Sequence, residues 1–95
     1  MERFRNLRAL IRAYSTGQYQ LVEVLTSEVR KGDFFMYGGI CKVVAVEDDQ
    51  IRYRTVNLKR RCLGPAEGQT TKRGTFNLFY KPYKARDDKS VVYDL

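Results

Sequence analysis

Histidine is absent from the 95 residues, cysteine and proline occur only twice each, and acidic residues number 11 against 18 Lys and Arg. Each shortage excludes something. Without imidazole there is no Ser-His or Cys-His nucleophile pair and no histidine acid–base catalyst. Two thiols alone do not complete the usual structural zinc set. Cys41 sits in an apolar run and reads as a small core hydrophobe, while Cys62 follows Lys59-Arg60-Arg61. Both are expected as free thiols in a reducing compartment. No stretch approaches the roughly 20 apolar residues of a membrane span. The opening MERFRNLRALIRAY lacks the continuous apolar segment of a secretion signal. Its arginines leave an organelle transit peptide as the lesser alternative to a cytoplasmic protein. Gly38-Gly39 leads into a strand, where phosphate-binding glycine motifs require a helix. Glu47-Asp48-Asp49 is ordinary turn composition without the alternating ligands of a calcium loop. A non-enzymatic protein with no metal and no cofactor is therefore expected.

What is present is a compact apolar complement: 43% hydrophobic and 13% aromatic residues, enough for one folded domain over residues 1–95. Its organising stretch runs from Val29 to Leu58, four strands being expected over residues 18–58. Lys31-Gly32-Asp33 leads into a strand from Phe34, Gly38-Gly39 turns it into the apolar run Ile40–Val46, and Glu47-Asp48-Asp49-Gln50 turns that into the next strand. Ile40, Val44 and Val46 are expected on one face of that run and Cys41, Val43 and Ala45 on the other, as in a strand covered on both sides. In the strand after it Ile51, Tyr53 and Thr55 alternate with Arg52 and Arg54. Val56 and Leu58 then continue the arginine face, so the strand bends there or passes from an open to a covered surface.

Ahead of this core, residues 1–17 are expected as an amphipathic helix. Phe4, Leu7, Leu10, Ile11 and Tyr14 form its apolar face, Arg5, Arg8 and Arg12 a basic stripe, and Gly17 its stop. Gln18 to Leu25 alternates as a strand near a sheet edge. Residues 59–74, KRRCLGPAEGQTTKRG, show no strand or helix period and read as a basic, glycine-rich loop whose ends bring Lys59-Arg60-Arg61 and Lys72-Arg73 together. Thr75 to Tyr83 is a fifth strand limited by Pro82 to an edge or an end. Val91, Val92 and Tyr93 would close the structure over residues 75–95.

The Lys31-Gly32-Asp33 approach, Gly39 and the Val43-Val44-Ala45-Val46 strand resemble the small SH3-like barrels, with KOW, Tudor and Sm-type domains as cousins. The resemblance covers Val29 to Val56, and the long segment after Leu58 departs from the KOW outline. It implies a mainly β fold, a small closed barrel of five to six antiparallel strands with an N-terminal helix, and a nucleic-acid-binding or protein-binding module.

The charge of +7 favours anionic partners. The leading expectation is RNA or DNA binding through phosphate contacts from Arg52, Arg54, Lys59, Arg60, Arg61, Lys72 and Arg73, helped by Tyr83, with a regulatory role. The alternative is a small phage-type regulator that docks Arg5, Arg8 and Arg12 on an acidic protein surface. A nucleotide-binding oligomer, its anion site built from arginines at a subunit junction, is a third reading, and the end strands offer pairing edges for a homo-oligomer.

Overall fold

The computed structural model describes residues 2–82. It is mainly β: one helix and six antiparallel strands in a single open sheet. The helix is α1 (Leu7–Thr16), and the strands are β1 (Gln20–Leu25), β2 (Phe34–Met36), β3 (Ile40–Val46), β4 (Gln50–Asn57), β5 (Cys62–Thr71) and β6 (Thr75–Tyr80). They lie in the order β1-β6-β2-β3-β4-β5. β1 is thus an edge, as its mixed faces suggest, and β5 is the other. β6 is interior, and Pro82 falls just beyond its end. The strand expected at Val91–Tyr93 lies outside the described residues.

Alternation divides the apolar residues between two cores, one on each side of the sheet. Phe35, Cys41, Val43, Ile51, Phe76 and Leu78 pack on the inner side with Val29 and Tyr80, and Val22, Val24 and Tyr53 close against them. Among the described residues no α-helix lies on this side, yet Phe35, Val43 and Ile51 are fully buried, and neighbouring side chains of the sheet help to cover them. Ring contacts do this: Phe35 stacks on Phe76 with centroids 4.3 Å apart and meets Tyr53 edge-on at 5.4 Å. On the outer side α1 sets Leu10 and Ala13 against Phe34, Ile40, Val56 and Phe79.

The helix starts later than its periodicity suggests. Asn6 is its N-cap, its side-chain oxygen accepting from Ala9 N at 2.8 Å. Phe4 keeps its place in the helix-side core, but as extended chain. Arg3 bridges to Tyr80, and Lys81 N donates to Glu2 O at 2.7 Å. Gly17 ends the helix with left-handed backbone.

A strand irregularity in β3 corrects the face assignments there, while β4 follows its patterning. One extra residue in β3, between Val43 and Ala45, lets Val46 pair with Ile51. Val46 therefore shares the face of Ile51 and Val43, not that of Ile40, and Ala45, paired with Arg52, lies on the outer face and not with Cys41 and Val43. In β4 the outer face is open at Arg52 and Arg54 and covered at Val56, which sits in the helix-side core.

The larger correction is β5. Residues 59–74 are not a long loop: a four-residue turn, Leu58 to Arg61, leads into a ten-residue strand paired with β4. Pairing with the free edge of β4 overrides poor strand propensity. The breakers are accommodated individually. Leu63 pairs with Val56 and Glu67 with Arg54, so Gly64, Pro65 and Ala66 form a bulge on an edge strand. Gly68 lies beneath the ring of Tyr53, its pairing partner, and a Cβ there would fall inside the ring's van der Waals surface. Gly68→Ala is therefore expected to cost about 1–3 kcal/mol. Thermal melting should show a drop of about 5–15 °C, relieved in a Tyr53→Leu background.

Cys41 is buried and Cys62 exposed. Burial pushes the Cys41 thiol up from its ordinary 9.0. Its contribution to stability is complete below that value and is lost as pH rises through the higher folded value, because the unfolded chain ionises first. Titration with a thiol reagent should find one fast cysteine in the native protein, Cys62, with Cys41 reacting only on unfolding. Fast reaction of both would contradict the packing of β3.

Candidate nucleic-acid interface

The β4–β5 hairpin decides which basic residues meet. Lys59, Arg60 and Arg61 form its tip, all exposed, with Asn57 Oδ1 accepting from Arg60 N at 3.0 Å to hold the turn. Lys72 and Arg73 lie at the opposite end, where Thr71 pairs with Gln50. A ten-residue strand separates them, roughly 30 Å at strand rise. The two clusters expected to converge are therefore kept apart.

Arg61 instead meets the helix. Arg8, Ile11, Arg12 and Ser15 of α1 and Arg61 of the hairpin tip line a cleft of about 530 Å³. Arg8 and Arg12 are one turn apart and face the same way. No carboxylate lines this cleft, and none of its three arginines has an ion-pair partner among the described residues. Arg61 also has left-handed backbone, φ 56°, a conformation that costs an L-residue about 1–2 kcal/mol.

The other basic residues are placed less favourably. Arg52 lies between two carboxylates, Glu47 at 3.3 Å and Glu67 at 3.9 Å, and its buried Nε has no hydrogen-bond partner. Arg54 Nε donates to Gly64 O at 2.7 Å, holding the β5 bulge. Both support the hairpin. Lys72 and Arg73 share a shallow cleft with Asp49, which reduces the local field. Tyr83 lies outside the described residues. Arg5 precedes the helix, so the expected Arg5–Arg8–Arg12 stripe is divided, and Arg5 lines a second cleft of about 320 Å³ with Arg30, Lys31 and the Arg3–Asp33 pair.

Tyr53 belongs to the inner core, and burial moves its phenol up from the ordinary 10.0. Tyr37 is exposed near the Gly38 turn, and the arginine cleft has no aromatic lining. Glu47 bonds Gln50 and Arg52 locally, and no metal-holding group of His, Cys, Asp or Glu occurs among the described residues. Arg61 was singled out from the sequence for its basic neighbours. What no local signal carried was its meeting with Arg8 and Arg12, set by docking of α1 over Val56 and Leu63.

The chain matches no protein-family model, and neither the curated proteins nor the solved structures contain a significant match.

Proposed function

We propose that this protein is a non-enzymatic nucleic-acid-binding module, built on an SH3-like sheet, that holds RNA or DNA by phosphate contacts in the cleft between α1 and the β4–β5 tip. The observation carrying this reading is the convergence of Arg8, Arg12 and Arg61 on one concave surface without a carboxylate among the described residues. Guanidinium groups bind phosphate oxygens in a bidentate manner, and three side by side, with no ion-pair partner among the described residues, repel each other until an anion arrives. Lys59 and Arg60 extend the surface along the exposed tip. An aromatic-free cleft offers bases nothing to stack on, so sequence preference is expected to be low. The left-handed backbone of Arg61 fits this role, since strain kept at a surface turn accompanies function more often than stability.

Fluorescence anisotropy with short single-stranded RNA, single-stranded DNA and duplex DNA at two salt concentrations tests the reading. Binding is expected to weaken steeply with salt. Affinity should stay level from about pH 5.5 to 7.5, because the chain has no histidine. Failure of every oligonucleotide to bind at low salt would overturn the proposal.

A further inference from the structure

The second cleft is a separate basic surface that the proposed function has not used. Its charges are partly cancelled: Arg3 pairs with buried Asp33, and Glu2 with Lys81 at 3.6 Å. Arg5, Arg30 and Lys31 remain, all exposed and without an ion-pair partner among the described residues. The turn that presents Arg30 and Lys31 is rigidly made. Arg30 N donates to Asp33 Oδ2 at 2.8 Å, Asp33 N to Arg30 O at 3.0 Å, and Gly32 N to Val43 O at 2.8 Å. Arg5 belongs to this cleft and Arg8 to the first. Two residues, Asn6 and Leu7, separate them, so their Cα atoms are at most about 10 Å apart.

We infer that the two clefts form one binding site for a single strand of nucleic acid, whose backbone passes from the Arg61–Arg12–Arg8 cleft over the start of α1 to Arg5, Arg30 and Lys31. The inference rests on the nucleic-acid reading above and names its ligand more closely. Volumes of about 530 and 320 Å³ are those of small-molecule pockets. Each is large enough for a nucleotide-sized group and too small to admit a duplex into its depth. A single strand, with freely rotating backbone bonds, enters both depressions in turn. Two separate groups of cations also set a minimum length, because a fragment too short to bridge them engages only one. That length falls in the range of about 4–16 nucleotides known for small single-strand-binding folds.

The test is anisotropy with single-stranded oligouridine of about three and about ten nucleotides and a duplex of about ten base pairs, on the wild-type protein and on Arg30→Gln, Lys31→Gln. In the wild type the longer strand should bind at least about tenfold more tightly than the short one and than the duplex. The double variant should lose about five- to tenfold on the longer strand, and its salt slope should fall by about 1.4, the share of two phosphate contacts. Its melting temperature should match the wild type, since the turn is bonded through backbone and Asp33. Wild-type affinity of the double variant for the longer strand, or equal binding of duplex and single strand, would overturn the inference and leave the first cleft standing. If the wild type binds none of the three probes, the inference falls together with the nucleic-acid reading.

Discussion

Replacing Arg8 and Arg12 with glutamate and Arg61 with glycine is expected to lower nucleic-acid affinity on the order of 100-fold near 50 mM salt. The slope of log affinity against log salt should become shallower by about 2, the counterion share of three single-strand phosphate contacts. The choice of glycine at position 61 separates charge from architecture. Arg61 is the non-glycine residue with positive φ among the described residues, and glycine adopts that backbone without strain. Arg61→Gly alone should therefore melt at or above the wild-type temperature while losing affinity. A variant that lost affinity and stability together would point to damaged turn geometry. An unchanged affinity in the triple variant would remove the cleft from consideration. Reversal of Lys72 and Arg73 is the matched control, placed a strand's length away beside Asp49, and should have the smaller effect.

The control also shows where sequence reasoning stops. Turns and alternation are local, and they were legible: Gly38, left-handed between β2 and β3, the acidic turn before β4, and Gly17 closing α1. The faces of β1 and the change of environment at Val56 followed from period-two patterning. β5 was hidden because its stability is not local. Gly64, Pro65 and Gly68 each argue against a strand, and each is answered on β4: a bulge opposite Thr55 and the ring of Tyr53. Val46 was assigned to the wrong face for a similar reason, since a one-residue bulge leaves no mark in hydrophobic periodicity.

The candidate site was half legible. The arginines of α1 and those after Leu58 were visible as two separate groups. Their convergence depends on the helix packing over Val56 and Leu63, a contact between segments distant in the chain. Reading residues 59–74 as one loop also produced a false pairing, because a loop would bring its ends together where a strand holds them apart. The arginines on β4 look free in the sequence, yet Arg52 answers Glu47 and Glu67 and Arg54 caps the bulge at Gly64.

Asp33→Ala is expected to be the most damaging polar substitution, costing about 2–4 kcal/mol. Asp33 is 6% exposed, and one carboxylate oxygen receives both the Arg3 guanidinium and the backbone N–H of Arg30. Its removal leaves the Arg30 N–H without that acceptor and frees Arg3, whose guanidinium also lies 5.7 Å from the Tyr80 ring centroid. The N-terminal segment would then lose its tie to the sheet at the same time as the Lys31-Gly32 turn loses its clamp. Melting should fall by more than about 10 °C. Asp33→Asn keeps an acceptor for Arg30 but not the charge, and should fall between the two. The effect should carry into binding of the longer single strand, because the same carboxylate holds the turn presenting Arg30 and Lys31. Urea denaturation of the alanine variant within about 0.5 kcal/mol of wild type would show the bridge to be superficial, and with it the rigidity assigned to the second cleft.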